Sequence, residues 1–253
     1  MIESPKKQLT EEAQKKLTRT NNDFEMSIFE HLEELRERTI KSLIFLICCV
    51  FISFIYTKEI SSILKQPATG IKFLQLAPGE YFFSSIKIAI YSGLIISSPF
   101  IIYQIILFII PGLTTKEIKV FLPILVVSVF LFFMGTYFSY TFLVPAALHF
   151  FITYGSDIVE PIWSFEQYFD FISALLLSTG LAFQLPVLQI IIGLLGVISS
   201  KDMLSFWKYI VLVATIISAI LTPSTDPFTQ LTLSLAILML YFSSILILKI
   251  LNR

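Results

Sequence analysis

The chain has 253 residues, of which 56% are hydrophobic and 14% charged, and its mean hydropathy is +0.83. A soluble domain has about a quarter charged residues, so the composition excludes an ordinary soluble protein and indicates a membrane protein. The formal net charge is zero, which argues against nucleic acid as a partner.

The first 22 residues are polar and carry charges of both signs, without the apolar stretch of a secretory signal peptide. The acids Glu3, Glu11 and Glu12 also argue against an organellar transit peptide. We therefore expect residues 1–22 to form a polar, mobile tail and residues 23–253 to form a single membrane domain.

Six apolar runs follow, each near the roughly 20 residues that a helix needs to cross about 30 Å of hydrocarbon. They are too long and too continuous for the alternating strands of a membrane barrel. Spans 2 and 4 contain Pro99 and Pro186 and are long enough to tilt or kink, and span 5 is short. We predict an all-α integral membrane bundle of six transmembrane helices, near Thr39–Thr57, Phe83–Ile110, Val120–Val144, Tyr168–Gly196, Phe206–Leu221 and Phe228–Ile250.

The lysines and arginines determine the orientation of the bundle. Eight lie in the region up to Lys41, two after span 2, two after span 4 and two at the C-terminal end, whereas three lie on the opposite side. Both termini are therefore predicted on the cis side, which is the cytoplasm of a bacterium or the stroma of a plastid. The region from Pro145 to Glu166 contains acids without a basic residue and is predicted to be a trans loop.

An amphipathic segment precedes span 1, and its stretch HLEELRER, from His31 to Arg38, is rich in acids. Apolar residues recur every three or four positions, which predicts a helix at the cis interface that continues into span 1. Glu34–Arg38 and Glu37–Lys41 are i,i+4 pairs in the favourable orientation. From these residues alone, the segment is either a self-paired interfacial helix or a helix on which Glu34 binds a cation.

A second acid lies on the same side, because Pro111-Gly112 ends span 2 and Glu117 follows. Two carboxylates at one interface can hold guanidinium groups through bidentate hydrogen bonds. The alternative is that Glu117 only neutralises Lys116 and Lys119.

Polar groups within the bilayer are costly and are therefore candidate functional residues. Gln184 lies near the middle of span 4, where its amide either bonds another helix or holds water, and Gln104 lies late in span 2. Lys87 and Asp170 lie near span ends, from which their charges can snorkel to water. Asp226 lies in the trans turn TPSTDPFTQ, where it is either a functional residue or a cap of the sixth helix at the positive end of its dipole.

Five motifs in order resemble TatC, the multispanning subunit of the twin-arginine protein translocase. They are HLEELRER, FLQLAPGEYFFSSIKIA, SPFIIYQIILFIIPGLTTKE, GLAFQLPV and LTPSTDPFTQ, and the match runs from about Met26 to Lys249. The variants LQLAPGEYFF, FQLPV and TPSTDP are most similar to cyanobacterial and plastid members. Together with the 25 Phe against 9 Gly, they favour a plastid thylakoid membrane, with a bacterial inner or thylakoid membrane as the alternative.

The resemblance implies a receptor and translocon core, not an enzyme, with no cofactor and no metal. Such a subunit binds twin-arginine signal peptides on its cis face and works with TatA- and TatB-type single-span subunits in an oligomeric complex. It moves folded proteins with the proton-motive force. The family's site residues map onto the signal-peptide-binding set Glu34, Arg36, Phe108, Pro111 and Glu117, with Gln184 as the polar site of span 4 and Asp226 in the trans turn.

Two further expectations follow from this mapping. Arg36 is the expected organiser of Glu34, and Gln184 stands where many bacterial relatives have Glu, so an amide that cannot carry a proton replaces an acid. The alternative function is a small secondary transporter of a polar solute, with Gln104, Gln184 and Asp170 along its path. That alternative lacks an internal repeat and an ionisable residue at mid-membrane.

Overall fold

The computed structural model describes residues 28–109, 118–154, 162–222 and 226–250, and these are almost entirely helical. Within them, five helical segments are long and apolar enough to cross a membrane, and a sixth apolar helix is shorter. The helices are α1 (Ile28–Ile55), α2 (Thr57–Lys65), α3 (Glu80–Ile109), α4 (Ile118–Phe138), α5 (Val144–Tyr154), α6 (Phe165–Ala182), α7 (Leu185–Leu194), α8 (Ser200–Ser205), α9 (Trp207–Leu221) and α10 (Pro227–Ile250).

The predicted helical bundle is confirmed, and the amphipathic segment and span 1 form the single helix α1. No Gly or Pro interrupts residues 28–55, so nothing breaks the backbone ladder between the interface and the bilayer. Two short strands were not predicted: β1 (Lys72–Leu74) and β2 (Ile162–Ser164) pair in parallel on the trans side, with Phe73 opposite Trp163.

The third span is longer than predicted, because its helix continues through Pro145. In a regular α-helix the proline ring clashes with the carbonyl four residues earlier. A wider π-helical turn, Ser139–Leu143, precedes Pro145 here and joins α4 to α5, which ends at Tyr154. The predicted trans loop is therefore wrong for residues 145–154, and residues 155–161 lie outside the described part.

Two other prolines have different effects on their helices. In α3, the Ser98 hydroxyl donates to the Ile95 carbonyl at 2.8 Å, which is the carbonyl that Pro99 leaves without its usual donor, and the helix continues. In span 4, the chain turns at Phe183-Gln184 just before Pro186, so the span consists of α6 and α7. Of the two alternatives for span 4, tilt or kink, the structure contains a kink, and this kink sets the position of Gln184.

Helix α6 lies in the centre of the bundle, where Phe169, Ile172 and Leu175 are completely buried or nearly so. Helix α1 packs along α3, and a Cβ atom at Gly93 would lie 2.8 Å from the Cα atom of Val50. Small residues permit such close approaches between membrane helices. This crossing brings the N-terminal end of α1 beside the C-terminal end of α3 on the cis side.

Candidate functional site

The cis ends of α1 and α3 form a small surface of charged and aromatic side chains, which we call the cis site: His31, Glu34 and Arg38 from α1, with Gln104 and Phe108 from α3. The imidazole of His31 stacks on the ring of Phe108, with centroids 4.2 Å apart and planes 19° from parallel. This contact joins the two helices at their cis ends, so Phe108 lies on the same surface as Glu34.

Glu34 is mostly buried in the cis site and is paired with Arg38. The Nε atom of Arg38 donates to Glu34 Oε1 at 2.9 Å, and Nη2 donates to the same oxygen. The side chains are only 18% and 22% exposed. The predicted i,i+4 pair is thus confirmed, and so is Glu37–Lys41, at 3.1 Å on the exposed face.

The second oxygen of Glu34 has a different environment. Oε2 is buried and accepts no hydrogen bond from any residue that the structure describes. A buried carboxylate oxygen without a donor is costly, because it has lost its hydration without replacement. With respect to the described residues, Glu34 therefore keeps an unused acceptor at the cis end of the bundle.

The partner of Glu34 is Arg38 and not Arg36, which differs from the expectation that Arg36 organises this acid. Residues four apart lie on one helix face, whereas residues two apart point in nearly opposite directions. Arg36 is exposed. Arg38 also donates from Nη1 to the Oε1 atom of Gln104 at 3.4 Å, so it connects α1 with α3. The other two residues assigned to signal-peptide binding, Pro111 and Glu117, lie outside the described residues.

Gln184 lies at the break between α6 and α7, beside an apolar groove of about 480 Å³. Its amide Nε2 donates to the Ser128 carbonyl at 3.0 Å, and the Ser128 hydroxyl donates to Oε1. The alternative of an interhelical hydrogen bond is therefore what the structure contains. The groove walls come from α3, α4, α6 and α7 and include Ile102, Ile105, Phe132, Leu181, Leu188 and Ile191.

Asp226 caps helix α10 on the trans side. Its Oδ2 atom accepts from the backbone N–H of Thr229 at 2.8 Å, and the residue is completely buried. An acid at this position satisfies an N–H that has no partner within the helix and faces the positive end of the dipole. The capping alternative is confirmed, and it places Asp226 far from the cis site.

Comparison with known proteins shows what kind of protein this surface belongs to. Residues 30–235 match the sequence model of the family described as Sec-independent protein translocase protein (TatC). The chain belongs to the TatC family. A crystal structure named twin arginine translocase receptor TatC shares 34% identity and a TM-score of 0.78, covering 88% of this chain and 100% of that one.

Two relatives illustrate the sources of similar proteins. An uncharacterised tatC-like protein ycf43 of Gracilaria tenuistipitata var. liui is 63% identical over 233 residues, covering 92% of this chain and 98% of its own length. The Sec-independent protein translocase protein TatC of a Synechocystis species is 49% identical, with 92% and 91% covered. The chain is therefore an integral membrane protein of a translocase family with plastid and cyanobacterial members.

The trans side of this TatC fold contains a buried acid, Glu80, that the sequence patterns did not single out. The residue is 4% exposed. Its Oε1 atom accepts from the Ser164 hydroxyl at 2.8 Å and from the Glu166 N–H at 3.1 Å. Its Oε2 atom accepts from the backbone N–H groups of Leu76 and Ala77, at 2.5 and 3.1 Å. One carboxylate thus joins the starts of α3 and α6. An acid just after Pro-Gly, at a helix start, is the only sequence signal for it.

Lys87 and Asp170 form an ion pair on this side, whereas the sequence predicted that each charge would extend to water by itself. The Lys87 Nζ atom lies 2.6 Å from Glu166 Oε1 and 2.6 Å from Asp170 Oδ2. All three side chains are about two-fifths exposed. One lysine on α3 therefore holds two acids of α6, one turn apart.

Proposed function

We propose that this chain is the receptor and membrane core of a twin-arginine translocase, and that its cis site binds the paired arginines of signal peptides. The observation that carries the proposal is the geometry of Glu34. It is a mostly buried carboxylate at the cis end of a transmembrane helix, and one of its oxygens has no donor among the described residues.

A guanidinium group is the side chain that suits this acceptor best. It is planar, always charged and less strongly hydrated than an ammonium group, so it loses less when it enters a half-buried site. A hydrogen bond between two charged groups is about twice as strong as a neutral one. Binding a signal arginine at Oε2 would also relieve the cost of the unused acceptor.

The remainder of the proposed site follows from the same surface. Phe108, held by His31, provides an apolar face beside Glu34 for the hydrophobic part of a signal peptide. We assign Glu117 to the second arginine, Pro111 to the same signal-peptide-binding set, and Arg36 to contact with the bound peptide or with lipid headgroups. These three assignments rest on the resemblance of the motifs.

We propose that folded precursor proteins then cross the membrane with the help of TatA- and TatB-type single-span partners, in an oligomeric complex driven by the proton-motive force. No enzymatic step and no cofactor belong to this function. Gln184 offers a partner helix a polar contact in an otherwise apolar groove, because the amide has one N–H beyond its bond to the Ser128 carbonyl. A plastid thylakoid membrane is the proposed location.

The transporter alternative would need Gln104, Gln184 and Asp170 along one path. In the structure, Gln104 bonds Arg38, Gln184 bonds Ser128 and Asp170 bonds Lys87. The three polar groups thus serve three separate helix contacts, and this arrangement favours the receptor function.

Site-specific photo-crosslinking tests the proposal. Benzoylphenylalanine replaces Phe108 in the cis site, and the matched control replaces the exposed Phe82 near the trans end of the same helix. We expect Phe108 to form adducts with a twin-arginine precursor, few adducts with its twin-lysine version, and Phe82 to form none with either before transport begins. Equal adducts at Phe108 with both precursors, under conditions that permit transport, would contradict the proposal.

A further inference from the structure

The charges in the cis site nearly cancel before any ligand arrives. Arg38 uses two nitrogens on the Oε1 atom of Glu34, and its third nitrogen, Nη1, reaches Gln104 on the neighbouring helix. Gln104 is buried and neutral, so it fixes the guanidinium without adding charge. The cluster therefore has a net charge near zero and one acceptor, Glu34 Oε2, to which no described residue donates.

We propose that Arg38 is a specificity-determining residue that makes Glu34 select guanidinium over ammonium groups. The inference rests on the proposed function and deepens it. Because Arg38 cancels the charge of Glu34, an approaching cation gains little from long-range attraction. What remains is a directional hydrogen bond to one buried oxygen, and that bond depends on the geometry of the donor.

Arginine and lysine differ in this respect. The guanidinium presents five N–H donors in a rigid fork, and one edge can reach Oε2 while its flat face lies against an aromatic ring. Phe108 offers such a ring beside Glu34. An ammonium group is a compact charge that must lose strongly bound water, and a neutral cluster does not compensate for that loss. By cancelling the charge of Glu34, Arg38 thus makes the site bind arginine in preference to lysine.

The inference predicts an unusual effect when Arg38 is replaced by an uncharged residue. Arg38→Gln leaves Glu34 with its full negative charge and removes both Arg38 donors from Oε1, so the site attracts lysine as well as arginine. We expect the affinity for a twin-lysine peptide to rise about tenfold and the ratio of twin-arginine to twin-lysine affinity to fall by at least that factor. Arg38→Lys keeps the charge cancelled and should keep most of the ratio.

The experiment measures peptide binding to the full chain in lipid vesicles by fluorescence. The probes are two synthetic peptides with an apolar segment, one with two adjacent arginines before it and one with two adjacent lysines. The matched control is Lys41→Gln, which removes one positive charge from the exposed Glu37–Lys41 pair of the same helix without contacting Glu34. It should leave the ratio unchanged.

Each outcome has a distinct meaning. A wild-type chain that binds both peptides equally would overturn the proposed function itself. A wild-type preference for arginine that Arg38→Gln leaves intact, or a loss of both affinities by one factor, would overturn the role of Arg38 alone. If Arg38→Gln does not fold, Arg38→Met decides, because it keeps the length of the side-chain stem but removes the charge and both donors to Glu34: a reduced ratio supports the inference and an unchanged ratio refutes it.

Discussion

Glu80→Gln tests the trans-side junction, where one carboxylate accepts four hydrogen bonds within 3.1 Å. The substitution preserves the shape of the side chain but replaces one oxygen with an NH₂ group. The least costly orientation places that NH₂ towards Ser164, because the serine hydroxyl can rotate and accept. The N–H of Glu166 then faces another donor and has no acceptor.

The expected loss of folding stability follows from the changes in these four hydrogen bonds. A buried N–H without a partner costs about 1–3 kcal/mol, and each bond that changes from charged to neutral loses about 0.5–1 kcal/mol. With three such bonds, the total is about 3–6 kcal/mol. For a chain of this size, that loss corresponds to a decrease of roughly 10 °C in the midpoint of thermal unfolding.

The assay is thermal unfolding of the detergent-solubilised full chain, with Glu59→Gln as the matched control. Glu59 lies on the trans-side helix α2 and is exposed, so its substitution should shift the midpoint by less than about 2 °C. Peptide binding at the cis site should survive Glu80→Gln below the new midpoint. If the two variants unfolded at the same temperature, Glu80 would not be the junction between α3 and α6.

The remaining two predictions concern contacts between helices within the membrane domain. Gln184→Leu removes the bonds to Ser128 and should cost about 0.6–1.7 kcal/mol of stability, measured by thermal unfolding. If transport and partner binding remain intact in this variant, the amide does not have the functional role proposed for it. Lys87→Met leaves Glu166 and Asp170 as unpaired like charges and should cost about 1–2 kcal/mol at low salt, whereas Lys87→Arg should cost little. The cost of Lys87→Met should shrink at high salt, and a cost that does not change with salt would show that lost packing causes it.

The sequence patterns predicted the helices well because each helix depends on residues that are close together in the chain. Apolar run length identified the spans, and the i,i+4 spacing identified the Glu34–Arg38 pair. The errors occurred where a local rule had an exception. Pro145 looked like the end of a span, yet a π-helical turn before it lets the helix continue to Tyr154.

Within the cis site, too, the sequence predicted some features and the packing of the helices decided the others. The motif located the site on α1, and the i,i+4 spacing predicted that Arg38 pairs with Glu34. The contact of Arg38 with Gln104, 66 residues away, depends instead on which face of α1 packs against α3. The Glu34 oxygen that accepts no hydrogen bond from the described residues is likewise a property of the packed helices and has no sequence signature.

By itself, the sequence determined the membrane environment, the order of the spans, their orientation and the family. These follow from the cost of apolar surface in water, the side preference of basic residues and short motifs, all of which act within a few residues. Only the tertiary structure decided the distant partners of Glu80, Lys87 and Gln184, which lie between 56 and 86 residues away. The physical reason is that a buried polar group must find its donor or acceptor wherever helix packing places one, and packing is a property of the whole chain.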